Sequence, residues 1–182
     1  MGASESPACG AAQTSPGRKP WVRYDKYREP RRGGTVSHSF AQVIMHMVFS
    51  TKERRELISP EIQPKLWAYI AGIARNHGIV VRAVGGIGNH VHVLCELPGE
   101  MGVAKAIGVL KSNSSRWMNE QQREFAWQEG YGAFSVSASN VGAVSRYIQD
   151  QATHHKKISF EEEYLALLRK HGVEVDPKYV LG

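Results

Sequence analysis

Two stretches of helical apolar spacing, each lodged between strand-like stretches, limit this chain to few architectures. Gln42 to Ser50 (QVIMHMVFS) is rich in β-branched and aromatic residues and ends at the polar run Thr51-Lys52-Glu53-Arg54-Arg55, which predicts a first strand. Ser59-Pro60 offers an N-cap followed by proline at the first helical position, and Leu66, Ile70, Ile73 and Ala74 recur at helical spacing up to Gly78. Ile79 to Val84 and Val91 to Leu97 predict two more strands, joined through Gly85-Gly86-Ile87-Gly88-Asn89 as a hairpin-type link. Val103 to Glu120 carries Ala104, Ile107, Val109, Leu110, Trp117 and Met118 at helical spacing, and Tyr131 to Ser137 predicts a fourth strand. The resulting order, β-α-β-β-α-β, is that of the α+β ferredoxin-like fold, an antiparallel sheet with both helices on one face. Two further helices are expected, from Val141 to about Thr153 and from Phe160 to His171, the second opened by Ser159 with Glu162 three residues on.

Composition narrows the class. The length of 182 residues suits one core. No apolar run approaches the ~18 residues that a membrane span needs. Cys9 and Cys95 are the two cysteines, too few for a disulfide framework, so a reducing cytoplasm is expected. The formal charge of +6 is unevenly placed: residues 1–36 carry seven Lys/Arg against three acids. That Gly/Ala/Ser/Pro-rich stretch has no apolar periodicity and is expected to be a disordered basic extension. Two readings are open for it: a basic arm that binds DNA, or a dispensable tail or misassigned start, with residues 37–182 as the domain. Basic charge is compatible with nucleic acid and does not establish it.

Chemistry is concentrated in a few residues. In His90-Val91-His92, strand alternation sends both imidazoles to one face with alpha carbons ~6.5–7 Å apart, a span one metal ion bridges. An isolated HxH is also common on polar surfaces and in satisfied cores, and two imidazoles do not complete a site. Ser145-Arg146-Tyr147-Ile148-Gln149-Asp150-Gln151 places Tyr147 and Gln151 on one helical face, ~6 Å apart. Taken alone, that pair is equally an amphipathic helix with a packed ring and a solvated amide. A His-hydrophobic-His strand followed by a Tyr-x-x-x-Gln helix is far rarer than either piece.

From Val36 to Glu163 the chain resembles the single-tyrosine HUH transposases of the insertion-sequence 200 type. The likeness lies in SHSFAQVIMHMVFSTKERRELI, GNHVHVLCELP, KSNSSRWMNE, WQEGYGAFSVS and YIQDQATHHKKISFEEEY, in the family's order and spacing. The resemblance implies that His90 and His92 are the HUH pair, Gln151 the third protein ligand of a divalent metal, Mg²⁺ or Mn²⁺, and Tyr147 the nucleophile. It further implies a homodimer that cleaves and rejoins single-stranded DNA at insertion-sequence ends, which bear hairpins.

The expected chemistry is self-consistent. A cation on a non-bridging oxygen offsets the charge that repels a nucleophile from a phosphodiester. A phenol, with an ordinary pKa of ~10, needs a nearby acceptor or positive charge to attack at neutral pH. The 5′-phosphotyrosine so formed is an activated aryl ester that a 3′-hydroxyl can reverse, so rejoining needs no ATP.

Other residues carry two readings each. His154 and His155 are possible auxiliaries near the metal or polar residues of a helix end, and His46 is an auxiliary or a structural histidine. Lys52, Arg54 and Arg55 after the first strand, and Lys111 and Arg116 on the second helix, are DNA-binding candidates or solvated surface. Trp117, Trp127 and Phe134 are expected in the core, and Gly142 is a hinge or a glycine kept small for packing. The alternative function is a non-catalytic, domesticated ferredoxin-like nucleic-acid-binding protein, against which the intact His90, His92, Tyr147 and Gln151 set argues.

Overall fold

The computed structural model describes residues 40–175; the 1–36 extension expected from sequence lies outside them. Four strands form one antiparallel sheet in the order β2-β3-β1-β4. They are β1 (Val43–Ser50), β2 (Val80–Ile87), β3 (His90–Leu97) and β4 (Gly132–Ser135). Helix α1 (Gln63–Asn76) links β1 to β2, and α2 (Val103–Gln121) links β3 to β4. The architecture is therefore the α+β ferredoxin-like one.

Strand alternation divides the sheet into two chemically different faces. Met47 and Phe49 of β1 and Val91, Val93, Cys95 and Leu97 of β3 enter the main core with Leu66, Ile70 and Ile73 of α1 and Ala106, Ile107, Leu110 and Met118 of α2. Trp127 and Phe134 are buried, and Trp117 packs on the core while stacking on Tyr69, so all three serve packing. Burial pushes the Cys95 thiol up to about 12, which leaves it an inert core residue. The alternate residues, Ile44 of β1 and Leu94 of β3, face the other way and meet Ile148 of the tyrosine-bearing helix. Pairing of Val48 with His92 and of Ser50 with His90 puts the two histidines at the end of β3 where that second face is covered by the C-terminal helices.

Three local expectations need correction. Helix α1 begins at Gln63, with a proline in its first turn, because Ser59 and Pro60 are spent in a preceding turn whose Ser59 carbonyl accepts from the Ile62 and Gln63 amides. Gly85 and Gly86 belong to β2: Ile87 pairs with His90, so only Gly88 and Asn89 remain as the hairpin turn. The expected helix from Val141 to Thr153 is two, α3 (Val141–Gln149) and α4 (Gln151–His154), interrupted at Asp150 with φ −96° and ψ 16°. Helix α5 (Phe160–Lys170) opens with the expected capping box, Ser159 and Glu162 each accepting from the other's backbone N–H. Among the described residues no helix is long and apolar enough to cross a membrane.

Candidate active site

His90 and His92 are fully buried on the face of β3 turned away from α1 and α2. Each ring is fixed through Nδ1. Asn89 Oδ1 lies 2.7 Å from His90 Nδ1, and His46 Nε2 lies 2.9 Å from His92 Nδ1. These bonds aim both Nε2 atoms toward one region beneath α3–α5. Burial first, and the neighbouring His92 next, hold His46 and His90 down to about 3, so both are neutral imidazoles at neutral pH. His46 is thus a buried partner that orients His92, stacked on it at 5.1 Å between ring centroids.

Helix α3 brings Tyr147 to the same region because β2 has no side chain beneath it at Gly85. A Cβ there would stand 2.2 Å from the Ile148 carbonyl oxygen, so only glycine admits the helix this close. The Tyr147 ring meets His92 edge-on at 5.8 Å and His46 at 6.2 Å. Gly142 is not kept small for packing, since the nearest atom to a Cβ there is the Arg146 guanidinium at 3.8 Å. Although the helix breaks at Asp150, Gln151 stays buried and reaches the histidines, with Oε1 3.1 Å from His90 Nε2.

Sequence reasoning missed Glu163. It is 2% exposed, on the buried face of α5. Its Oε1 accepts from the Tyr147 hydroxyl and, at 2.9 Å, from Gln151 Nε2. Its Oε2 lies 3.6 Å from His90 Nε2, 3.3 Å from His92 Nε2 and 3.2 Å from His155 Nε2. In the run Glu161-Glu162-Glu163 it reads as one of three acids favouring a helix N-terminus. The missed signal is its phase: Phe160, Glu163 and Leu167 recur at helical spacing, so one acid occupies an otherwise apolar stripe.

The two auxiliary histidines also converge. His155 is nearly buried, and its Nδ1–H donates to the Ile158 carbonyl at 3.0 Å, which turns Nε2 inward. Burial alone would lower its pKa, but the Glu163 carboxylate outweighs that and raises it. His154 is more open, with Nε2 3.5 Å from Glu163 Oε1 and its ring edge-on to Tyr147 at 5.2 Å. Glu163 is held well below the usual carboxylate range: burial would raise it, and His155, His92 and Tyr147 together prevail. The Tyr147 phenol is pushed up, by burial first and then by its bond to the Glu163 carboxylate and that group's charge.

The basic candidates behave differently. Lys111 Nζ donates to the carbonyls of Gln128, Glu129 and Gly130, and Arg116 donates to Asn113, both on α2 on the opposite face of the sheet from Tyr147. Arg54 pairs with Glu161 at 3.0 Å, tying the β1–α1 link to the start of α5, while Lys52 and Arg55 on that link are exposed.

The donor set fits a divalent cation. One ligand atom each from His90, His155 and Glu163 lies within 4.8 Å of the others. His92, outside that trio, still meets Glu163 Oε2. His92 Nε2, His154 Nε2, His155 Nε2 and Glu163 Oε2 are buried without a hydrogen-bond partner, which is costly unless something positive lies among them. His90 adds to this: its two nitrogens both face amide oxygens as the side chains are oriented, and a neutral imidazole has one proton to donate.

Residues 39–151 match the family described as transposase IS200 like. Transposases for insertion sequence element IS200 from Salmonella typhimurium and Salmonella typhi are each 26% identical over 131 residues, covering 67% of this chain and 85% of theirs. Two solved structures share the fold. A proposed transposase from Deinococcus radiodurans superimposes with a TM-score of 0.53 at 20% identity, over 65% of this chain and 98% of its own. A REP-associated tyrosine transposase bound to a REP hairpin does so with 0.51 at 15% identity, over 69% and 76%. The family match takes in the sheet, its two facing helices and the tyrosine helix as far as Gln151, and on that ground the chain belongs to the IS200-like transposase family.

Proposed function

We propose that this transposase cleaves and rejoins single-stranded DNA at insertion-sequence ends through a 5′-phosphotyrosine formed by Tyr147. The supporting observation is that Tyr147, from α3, lies edge-on to His92 of β3 within its own chain, in the site where His90 and Gln151 also meet. His90, His92 and Gln151 would hold a divalent metal, Mg²⁺ or Mn²⁺, which when bound supplies a positive charge for a non-bridging phosphate oxygen.

The chain's own groups account for the rest. The Tyr147 oxygen forms a bond to phosphorus, the bond from phosphorus to the 3′-oxygen breaks, and the 3′-oxygen leaves as a hydroxyl with a proton from solvent. The phenolic proton has an acceptor in place at Glu163 Oε1. A cavity of about 420 Å³ between α3 and α5 opens onto Tyr147; Val136, Val144 and Leu167 give it mainly apolar walls, with Asn140 and Lys170 as polar groups at its edge, room for an unstacked base beside the nucleophile. Residues 37–182 form the domain of this activity, acting as a homodimer on hairpin-bearing ends in the cytoplasm, with Lys52 and Arg55 available to phosphates.

The test is incubation of the wild type and Tyr147→Phe with labelled single-stranded element ends, with and without Mg²⁺ or Mn²⁺, read as a covalent adduct on a denaturing gel. A metal-dependent adduct absent from Tyr147→Phe is expected. Binding without any adduct would instead identify a non-catalytic DNA-binding relative.

A further inference from the structure

We infer that Glu163 and His155, both beyond the residues 39–151 that match the family description, are metal ligands that join His90 and His92 in an imidazole-rich site selecting Mn²⁺ or Zn²⁺ over Mg²⁺. The inference rests on the metal-assisted reading above and names the ligands that complete it. Its first support is distance. Around a cation with bonds of ~2.0–2.2 Å, neighbouring ligand atoms stand ~2.8–3.6 Å apart, from an octahedral to a tetrahedral edge. Glu163 Oε2 lies 3.2 Å from His155 Nε2, 3.3 Å from His92 Nε2 and 3.6 Å from His90 Nε2, so from the carboxylate each imidazole stands at an edge length of such a shell, and the ligand atoms of His90, His155 and Glu163 all lie within 4.8 Å of one another.

Hydrogen bonding points the same way. With His155 Nδ1 against the Ile158 carbonyl, its Nε2 keeps a lone pair when the ring is neutral, and that lone pair faces a carboxylate oxygen. His92 Nε2, His155 Nε2 and Glu163 Oε2 have no hydrogen-bond partner despite burial. The neutral His155 ring and the carboxylate thus set two lone pairs against each other, and the pair is reconciled either by a proton or by a cation shared between them.

The two oxygens of Glu163 have separate surroundings. Oε2 faces the imidazoles, while Oε1 takes the bonds from Tyr147 and Gln151. One carboxylate thus joins the metal region to the nucleophile. Three imidazoles and a single carboxylate oxygen form a nitrogen-rich set, which suits Mn²⁺ or Zn²⁺ better than the oxygen-seeking, strongly hydrated Mg²⁺. Gln151, a neutral amide already bonded to both His90 and Glu163, contributes less to affinity than the anion does.

The deciding experiment is calorimetric titration of the DNA-free full chain with MnCl₂, ZnCl₂ and MgCl₂, repeated on Glu163→Gln, His155→Leu, Gln151→Ala and a His90→Ala/His92→Ala double variant. Circular dichroism checks each fold, and Glu163→Asp substitutes should Glu163→Gln fail to fold. The expected result is at least tenfold weaker Mn²⁺ binding in Glu163→Gln and in His155→Leu, a smaller loss in Gln151→Ala, and wild-type preference for Mn²⁺ over Mg²⁺ of tenfold or more. Wild-type affinity in Glu163→Gln and His155→Leu, with loss only in the double variant, would overturn the inference and leave the metal-assisted reading standing. Equal affinity for Mg²⁺ and Mn²⁺ would overturn the selectivity. Absence of Mn²⁺ and Zn²⁺ binding by the wild type would overturn the metal-assisted reading together with the inference.

Discussion

Gly85 of β2 lies against the Ile148 carbonyl of α3 so closely that a Cβ on Gly85 would stand 2.2 Å from that oxygen. The contact sets the height of the tyrosine helix above the sheet, since Ile148 is the residue next to the proposed nucleophile. It couples a backbone detail of one strand to the chemistry of another element.

Gly85→Ala is therefore expected to lift α3. Backbone cannot yield as a flexible side chain does, so the cost is that of overpacking, about 1–3 kcal/mol. Displacing Tyr147 relative to His92 should reduce adduct formation by more than this stability loss explains. Chemical unfolding and adduct yield, measured on the same preparation at a temperature where the variant is folded, check this. Full activity in the variant would show that the helix height is unimportant.

His46 is 3% exposed and touches His92 at Nδ1. Replacing it with leucine removes the partner that orients the ring, an effect worth about 10–100-fold in metal affinity for such supporting residues. A Mn²⁺ titration of His46→Leu against wild type measures it. Unchanged affinity would make His46 a packing residue alone.

Acidification should destabilise the metal-free protein. His46 and His90 are held down to about 3, so below the ordinary ~6.5 the unfolded chain takes up protons that the folded chain refuses, and stability falls as pH drops from there toward 3. Glu163, also depressed, adds loss in the same direction once unfolded carboxyls protonate near ~4.3. His155 is raised and acts oppositely, its contribution being present below ~6.5 and lost as pH rises through its folded value. His46 and His90, joined by the more exposed His171, which is also lowered, should prevail over the one raised histidine, giving a thermal midpoint in EDTA that declines between about pH 7 and 5. A flat or rising midpoint over that range would contradict the assignment of neutral buried imidazoles.

Basic residues divide into those held by the fold and those, Lys52 and Arg55, that are exposed and proposed to meet phosphates. Lys111→Met should cost about 1–3 kcal/mol, because Nζ satisfies three loop carbonyls, and should leave the salt dependence of DNA binding unaltered. Lys52→Ala and Arg55→Ala should leave the unfolding free energy unaltered and lower the slope of log affinity against log salt by ~0.7 each on single strands. Fluorescence anisotropy at several salt concentrations, set beside denaturant unfolding, separates the two behaviours. Exchange of these phenotypes would reverse the assignment.

Much of the site is legible in one dimension because strand and helix periods are local. His90 and His92 share a face by alternation alone, and the β-α-β-β-α-β order follows from where apolar spacing switches between two and 3.6 residues. The Tyr147 to Gln151 spacing also brought both side chains to one place, although the continuous helix behind that expectation is broken at Asp150. Capping at Ser159 was equally local.

What no local pattern contained is which distant groups would meet. Glu163 lies 71 to 73 positions beyond the two histidines, and its role depends on how α5 packs over the second face of the sheet, with Phe160 stacked on His90 at 4.4 Å. His46 met His92 through the register of β1 on β3, and Lys111 was claimed by carbonyls of a loop that returns to it. Charge on a sequence is visible as a residue type, but whether it is solvated, paired or aimed at a metal is decided by burial, which is a property of the assembled fold. The sequence alone determined the sheet, its two faces and the histidine pair; packing of α3, α4 and α5 decided that a buried carboxylate stands between those histidines and the tyrosine.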